Sequence, residues 1–407
     1  MSDCRMVCLF AEKEALEFVG ATIGRPLLQI RTVVTDARCS PLHKSFGCIQ
    51  VWKMVEYAKR RDCPLNKEFL FEMLDTMSVS GHEIGLQKKV IREMTPYADE
   101  IRTDYTGNVI CVLNPDADFK VLLAGHIDEI GLVVTHIQSD GLLKVAKAGG
   151  IRAMAYPGHQ VLIGEQKIPG VVILNDNMKG DIKDKDLIID IGAKDAADAR
   201  KYVEEGDPVH LHTYHLPLQN DYLCARAIDD RGGAFIVLEA LKLAREMGCK
   251  IGVYAATTVG EETTMRGAHW AASRVKPDIA IAVDVTYAQD YPGTDPAESG
   301  DVKLGAGPVI CNSSIANRKV NELLKACAKE QGIPYQIESF LGRTGTDADK
   351  MHVACEGVVT ALLSLPLRYM HSPSEVCHLS DVENAIRLLA AFLCTVNRAT
   401  VIDPFAE

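Results

Sequence analysis

Two adjacent glutamates close an apolar stretch in the second half of the chain. The segment V-Y-A-A-T-T-V-G-E-E ends on Glu261 and Glu262, and no lysine or arginine lies within three residues of either acid. Neighbouring side chains on a strand point to opposite faces, so two adjacent carboxylates are poorly suited to a hydrophobic core. Carboxylates bind metal ions and carry protons in enzymes, and the pair therefore suggests a site in which both acids have a function.

Other residues able to bind metal ions follow predicted strands in the same way. Apolar segments that read as strands run into His126 and Asp128, into the glutamate pair, into Asp284 and into His371. A further carboxylate, Asp229, opens the turn A-I-D-D-R-G-G before a predicted helix. Sites on open α/β sheets collect beyond the carboxyl ends of the strands, so these residues are expected to gather at one edge.

Each of these residues alone has an ordinary structural explanation. His126 could be a hydrogen-bonded structural histidine, Asp229 or Asp230 a helix N-cap, Asp284 a loop cap and His371 a turn residue. Together they would bring several desolvated charges to one edge, and a divalent cation would offset that unfavourable free energy. Two histidines with three carboxylates and no cysteine favour zinc, cobalt or manganese over a thiolate structural site.

Hydrolysis at a pair of metal ions would also require one acid that does not bind the metal ions. Two metals that share a carboxylate lie about 3.5–4 Å apart, and hydrolysis at such a pair needs a separate proton carrier. One of the two adjacent glutamates could supply it.

The predicted helices and strands that would position these residues alternate along the chain, as in an α/β domain, with one interruption. Residues 1–53 show no sustained period and are read as an N-terminal extension of unclear role. Residues 54–131 and 222–407 are predicted to form one α/β domain, a mixed sheet flanked by helices. Its predicted helices include 67–77, 83–94 and 380–393, and its predicted strands include 121–124, 250–257, 279–283 and 357–366.

The interruption at residues 132–221 reads as a separate module. Short β-rich runs are punctuated there by glycines, which predicts a small inserted all-β domain. His210 and His212 alternate on one predicted strand and are expected on the surface of this module.

Composition narrows the class of protein. Lysine and arginine number 44 against 55 aspartates and glutamates, a net charge of −11, which argues against a nucleic-acid-binding surface. The 13 cysteines form no C-x-x-C pair, which is typical of reduced thiols in a cytoplasmic protein. No apolar run is long enough for a membrane span, and the acidic N-terminus is unlike a secretory signal.

Six short motifs resemble one family of enzymes. G-H-I-D-E-I-G-L, A-I-D-D-R-G-G, V-G-E-E, A-V-D-V-T, G-T-D-A and P-L-R-Y-M-H-S-P occur in this order between about residues 66 and 395. They resemble the co-catalytic metallo-aminopeptidases that include the tetrahedral (TET) aminopeptidases and bacterial glutamyl aminopeptidases. The resemblance implies a zinc-exopeptidase-like α/β fold. It also implies that the inserted β domain is PDZ-like and serves oligomerisation, with a dodecamer as one expected assembly.

The same resemblance implies two divalent metal ions per subunit, zinc or cobalt. One ion would be held by His126, Asp229 and Asp284. The other would be held by Asp229, Glu262 and His371, so that Asp229 bridges the two ions.

The remaining roles also follow from the resemblance. Glu261 would be the general base, Asp128 would orient the imidazole of His126, and Asp347 would lie on the substrate side. Thr263 and Thr264 follow the paired acids where the family often has Val-Gly, so the wall of the pocket is expected to differ.

The function expected from these residues is removal of N-terminal residues from short peptides by a cytoplasmic homo-oligomer that binds neither nucleic acid nor membrane. A metal-dependent amidohydrolase of N-acyl amino acids or other small amides would use the same site and is the alternative. The label endoglucanase, which some family members carry, fits poorly because glycosidases work with two carboxylates and no metal pair. A purely structural metal site fits poorly because closed structural sites rarely keep a spare acid such as Glu261.

Overall fold

The computed structural model describes residues 65–175 and 180–406, so the predicted extension at 1–53 lies outside the described residues. The helices are α1 (Lys67–Asp75), α2 (Ile84–Met94), α3 (Ala196–Ala199), α4 (Ile228–Met247), α5 (Arg266–Val275), α6 (Pro296–Ser299), α7 (Arg318–Gln331), α8 (Ala348–Met351) and α9 (Leu379–Thr395). The strands of the first half are β1 (Glu100–Thr103), β2 (Val109–Leu113), β3 (Lys120–His126), β4 (Gly131–Ile137), β5 (Leu143–Ala148), β6 (Gln160–Ile163), β7 (Ile168–Ile173), β8 (Ile188–Asp190) and β9 (Pro208–Leu211). Those of the second half are β10 (Leu216–Pro217), β11 (Tyr222–Ala225), β12 (Gly252–Thr258), β13 (Ile279–Tyr287), β14 (Val309–Asn312), β15 (Gln336–Ser339), β16 (Val359–Leu367) and β17 (Glu375–His378).

Eight strands form one mixed sheet in the order β1-β2-β12-β3-β13-β16-β14-β15. The central strands β12, β3, β13 and β16 are parallel, whereas β2 and β14 pair antiparallel to their neighbours β12 and β16. The predicted mixed α/β sheet is confirmed. Because the four central strands run in one direction, their carboxyl ends share one edge of the sheet.

Helices cover both faces of this sheet, which explains why its central strands are apolar over most of their length. Val121 and Leu123 of β3 face the core that contains α4 and α9. Leu122 and Ala124, which alternate with them, face a second core that contains α5 and α8. A strand that is buried on both faces reads as a continuous apolar run, as V-L-L-A does.

The start of α4 packs directly against the end of β3. A Cβ added at Gly125 would lie 2.5 Å from the backbone nitrogen of Ala234 and 2.6 Å from the carbonyl carbon of Gly233. Only a residue without a side chain permits so close an approach of strand and helix. The glycines of A-G-H and R-G-G therefore allow the aspartates at the start of α4 to reach the histidine at the end of β3.

The inserted module is a closed barrel of six strands in the order β4-β5-β8-β7-β6-β9. Its interior is packed with side chains that include Leu132, Val161 and Ile189. The predicted small all-β module is confirmed, while its boundaries at 132 and 221 stay predictions. The strands β10, β11 and β17 form a separate small sheet.

The surface position expected for His210 is wrong. This residue is 3 % exposed, because the face of β9 opposite the barrel interior is covered. Burial lowers the pKa of His210 to about 3; the charge of Arg226 acts in the same direction and that of Glu129 opposes it. His212 is half-buried and contacts the Tyr214 hydroxyl through its Nε2 atom at 2.8 Å.

Two further sequence expectations can be compared with the described part of the chain. No helix there is both long and apolar enough to cross a bilayer. All of its cysteines are free thiols.

Candidate metal centre

The residues that the sequence singles out converge at the carboxyl edge of the parallel strands. His126 ends β3, Asp284 lies near the end of β13, and the other members follow β12, follow β16 or begin α4, namely Glu261, Glu262, His371 and Asp229. All of them except Glu262 and His371 are buried. Apolar strands therefore carry charged side chains into a largely desolvated site.

Asp229 lies at the centre of this cluster. Its Oδ1 atom is 3.2 Å from Nε2 of His126, and its Oδ2 atom is 3.2 Å from Nε2 of His371. Burial alone would raise the pKa of Asp229, but its interactions with the two histidines bring the pKa below its ordinary value. One carboxylate thus faces two imidazoles with different oxygens, which is the geometry expected of a bridging ligand.

The second aspartate of the D-D pair is turned the other way. Nitrogen and oxygen atoms of His126, Asp230 and Asp284 lie within 4.8 Å of one another, as do those of His126, Asp229 and Glu262. Asp230, however, accepts hydrogen bonds from the backbone N–H groups of His126 at 3.0 Å and Gly233 at 2.9 Å. Both oxygens of Asp230 are therefore used to join β3 to α4, whereas those of Asp229 face the imidazoles.

Backbone carbonyls fix the orientation of both imidazoles. Nδ1 of His126 lies 3.1 Å from the carbonyl oxygen of Asp128, and Nδ1 of His371 lies 3.0 Å from that of Gly150. A carbonyl oxygen accepts only from a protonated nitrogen, so in a neutral ring the lone pair is on Nε2. Both histidines thus present to Asp229 an Nε2 atom whose lone pair could bind a metal ion.

The carboxylate of Asp128 contacts the paired glutamates more directly than it contacts His126. It accepts from the backbone N–H groups of Glu261 at 3.0 Å and Glu262 at 3.3 Å. The distance from its Oδ1 atom to Nδ1 of His126 is 3.6 Å, which is longer than a hydrogen bond. Asp128 therefore fixes the backbone of Glu261 and Glu262, a role that the sequence did not suggest.

Glu261 is an acid without a cationic partner from lysine or arginine in the described ranges. Its Oε2 atom is 3.7 Å from Nε2 of His126, while its buried Oε1 atom has no hydrogen-bond partner among the described residues. Burial raises the pKa of Glu261 to about 11, with the charges of Asp284 and Asp347 acting in the same direction. A free oxygen in a buried acid is the arrangement that a proton carrier needs.

Sequence reasoning missed Glu375 and Gly150. Glu375 is 1 % exposed and accepts from the backbone N–H groups of Asp229 at 3.1 Å and His371 at 2.9 Å. It thereby joins α4 to the loop after β16. The one feature of the sequence that could have pointed to Glu375 is its position four residues after His371 in M-H-S-P-S-E. No feature of the sequence pointed to the backbone carbonyl of Gly150.

The charges of the cluster fit divalent cations. Burial raises the pKa values of Glu262 and Asp284 well above the ordinary range, which reflects negative charge without compensation. Burial would lower the pKa of His126, but Asp128 and Asp229 raise it well above its usual value. Within residues 65–175 and 180–406, the ion-pair partners of Asp229 and Glu262 are histidines, not lysines or arginines. Imidazole and carboxylate groups that come this close together suit zinc or cobalt.

A cavity of about 940 Å³ opens onto the cluster. Thr263 and Thr264 contribute to its wall, as expected from their position after the paired acids. Asp347 is buried, accepts a hydrogen bond from the Thr258 hydroxyl and is not among the residues that line the cavity. Burial raises the pKa of Asp347 to about 6. The substrate-side role of this residue stays a prediction.

Histidines and carboxylates gathered at the strand ends of an α/β sheet are typical of metal-dependent hydrolases. Comparison with known proteins identifies the group. A sequence model described as M42 glutamyl aminopeptidase matches residues 107–388, more than half of the chain. The chain belongs to the M42 family and is a peptide-bond hydrolase of the aminopeptidase class.

Relatives with names and structures agree with this placement. A lysyl aminopeptidase of Pyrococcus furiosus is 33 % identical over 341 residues, which cover 80 % of this chain and 96 % of the relative. A TET aminopeptidase from a marine-sediment Thaumarchaeota archaeon has a TM-score of 0.78 and 30 % identity, covering 82 % of this chain and 97 % of its own. The TET1 peptidase of Pyrococcus horikoshii, described as assembling into a tetrahedron or a large octahedral shell, has a TM-score of 0.74 and 31 % identity, covering 81 % and 99 %.

Proposed function

We propose that this aminopeptidase works with two divalent metal ions and releases the first residue of short peptides. One observation carries the proposal of two ions: the two oxygens of Asp229 face Nε2 of His126 and Nε2 of His371, each at 3.2 Å. Asp284 would complete the site on the His126 side, and Glu262 the site on the His371 side. When bound, such ions polarise the scissile carbonyl and lower the pKa of water.

The residues of the chain do the positioning. Asp128 holds the backbone of Glu261 and Glu262, so the base and the ligand keep their relative places. Glu375 holds the backbone of Asp229 and His371 in the same way. Residues that orient metal ligands in this manner usually change metal affinity or activity by about 10–100-fold when they are replaced.

Proton transfer is assigned to Glu261. Its Oε1 atom is buried and has no hydrogen-bond partner among the described residues. Divalent cations beside it would stabilise the ionised carboxylate and lower its raised pKa, which would allow Glu261 to accept a proton from the attacking water. The same acid can then deliver that proton to the amine that leaves. General acid–base catalysis of this kind contributes about 10²–10⁴-fold to the rate.

A pair of adjacent variants tests these roles. We expect Glu261→Gln to retain bound metal and to lose about 10²–10⁴-fold in kcat. Glu262→Gln should instead lose metal, measured as moles per subunit by mass spectrometry after dialysis. Hydrolysis of a leucyl anilide at the wild-type rate by Glu261→Gln would show that another group carries the proton.

The alternative substrate class needs a separate comparison. Aminoacyl anilides with free amines and the same compounds with N-acetyl groups should be hydrolysed very differently. Preference for the free amine supports an aminopeptidase, whereas preference for the blocked compounds supports an amidohydrolase of N-acyl amino acids. Titration of the metal-free protein with zinc and then with cobalt, while peptide release is followed, tests the metal identity and the purely structural alternative together.

We also propose that the six-stranded barrel serves assembly into a homo-oligomer in the cytoplasm. Support comes from a structurally similar TET1 dodecamer, with a TM-score of 0.72 and 31 % identity. The likeness of the barrel to a PDZ domain and a dodecameric state for this chain stay predictions. Solution mass by light scattering would test the assembly, since a monomer at micromolar concentration contradicts it.

A further inference from the structure

A buried acid outside the metal cluster borders the same cavity. Glu338 of β15 is 2 % exposed, yet it belongs to the cavity wall. Its carboxylate accepts hydrogen bonds from the hydroxyls of Thr286 at 2.5 Å and Ser364 at 3.2 Å. The Cys311 thiol is a further neutral neighbour of this carboxylate.

Strand register places this carboxylate near the metal cluster. Asp284 of β13 lies opposite Ser364 of β16 in the parallel pairing. Thr286 lies two residues beyond Asp284 and on the same face of the strand, so the two side chains are roughly 7 Å apart along it. Since the Thr286 hydroxyl donates to Glu338, the Glu338 carboxylate lies within roughly 10 Å of the Asp284 side chain, on the same side of the sheet.

Glu338 lacks a cationic partner. No lysine, arginine or histidine in the described ranges forms an ion pair with it. Burial raises the pKa of Glu338, while the hydroxyls of Thr286 and Ser364 lower it. A desolvated carboxylate that is surrounded only by neutral donors attracts a cation more strongly than a solvated carboxylate does.

The cations of the cavity wall are less suited to selecting an acidic side chain. Arg343 is exposed and Lys350 is half-buried. Water and salt screen charges in such positions far more than they screen a buried group. Glu338 is therefore a buried acid without a cationic partner on the cavity wall beside the metal cluster.

We propose that Glu338 selects substrates whose first residue has a cationic side chain, lysine or arginine. The inference rests on the proposed function and names the substrate preference of that same site. Leu362 and the half-buried Phe340 line the cavity with Glu338 and supply apolar contact for the methylene groups of such a side chain. An acidic first residue would bring like charge towards Glu338.

A matched pair of substrates isolates this contact. Norleucine has a straight alkyl side chain similar in length to that of lysine but without the ammonium group. We expect kcat/KM for a lysyl anilide to exceed that for a norleucyl anilide by at least about 10-fold, the range of a hydrogen bond to a charged group. Free lysine should likewise inhibit more strongly than free norleucine, which measures binding without turnover.

Two variants complete the experiment. In Glu338→Gln the lysyl-to-norleucyl ratio should fall towards one, mainly through a higher KM for the lysyl substrate. Glu330→Gln, which removes an exposed acid of α7 outside the cavity wall, should keep the wild-type ratio. If Glu338→Gln fails to fold, the wild-type ratio and the inhibition by lysine against norleucine decide.

The outcomes separate the two proposals. A wild-type ratio near or below one, a preference for an acidic first residue, or an unchanged ratio in folded Glu338→Gln overturns the role of Glu338. In those cases hydrolysis of free-amine substrates still supports the proposed function. Failure to hydrolyse any free-amine substrate, with metal bound, overturns the proposed function and the selection by Glu338 together.

Discussion

Replacement of Glu129 by glutamine should destabilise the folded protein strongly. The Glu129 carboxylate accepts from the Arg231 guanidinium at 2.7 Å and from the backbone N–H of Ser78 at 3.0 Å. Arg226 forms a second ion pair with it, and all three charged residues are buried. Glutamine keeps the shape of the side chain but leaves two buried guanidinium groups without their counter-charge.

Two estimates of the size of this effect agree. Burial would raise the pKa of Glu129, but Arg226 and Arg231 lower it from 4.5 to about 2. One pKa unit corresponds to about 1.4 kcal/mol, so this shift represents ~3 kcal/mol of stability near neutral pH. Removal of one partner from a buried ion pair typically costs about 3–5 kcal/mol. We therefore expect Glu129→Gln to lose ~3 kcal/mol in the free energy of unfolding.

The dependence of the unfolding free energy on pH also reports the contribution of Glu129. Because the folded pKa of Glu129 lies below its unfolded value, the contribution is fully present above pH 4.5 and is lost as the pH falls towards 2. Urea unfolding of the metal-free protein, followed by circular dichroism in chelator at a fixed protein concentration, measures both quantities. Wild type should lose stability more steeply over this pH window than Glu129→Gln does.

Two results would refute the reasoning. One is an unfolding free energy for Glu129→Gln at pH 7 that equals that of wild type, and the other is an identical loss of stability below pH 4.5. Glu330→Gln serves as the charge-matched control, since an exposed substitution usually changes stability by less than about 0.5 kcal/mol.

Four further predictions concern three glycines and the metal ions. Gly125→Ala places a Cβ 2.5 Å from the backbone nitrogen of Ala234 and should cost about 1–3 kcal/mol or more in unfolding free energy. Gly85→Ala at an exposed position of α2, where a Cβ meets no described atom within 4 Å, should instead stabilise by about 0.5–1 kcal/mol. Gly150→Ala places a Cβ 2.8 Å from the His371 ring, so mass spectrometry should find less bound metal per subunit with an unchanged circular dichroism spectrum. Chelation should abolish hydrolysis and lower Tm, because bound ligands stabilise the folded state, and added cobalt should restore both.

The location of the site could be predicted because the strands that carry it are apolar on both faces. A charged residue at the end of such a strand stands out in the sequence, as His126, Asp284 and Glu262 do. Parallel direction then implies that these ends share one edge. The same pattern gave the mixed sheet and the inserted β module, which the structure confirms.

Contacts made through the backbone could not be predicted from residue types. Glu375 binds the N–H of Asp229 across 146 positions of the chain, and any residue at 229 other than proline would offer the same N–H. Likewise, the packing of β3 against α4 determines that Asp229 faces the two histidines while Asp230 accepts hydrogen bonds from the backbone. Alternation along β9 showed which side chains share a face, but residue types did not show that Glu129, Arg226 and Arg231 lie near the face of His210, which is 3 % exposed.

The border between barrel and sheet limits how freely the two parts can be recombined. Gly150, which lies inside the span of the barrel strands, supplies the carbonyl that orients His371, and a Cβ on its neighbour Gly149 would lie 3.1 Å from the Glu262 carboxylate. A chimera that exchanges the whole barrel between relatives would also exchange this piece of the metal centre. An exchanged barrel therefore has to keep the host residues at positions 149 and 150, so that the host enzyme retains its own support for His371.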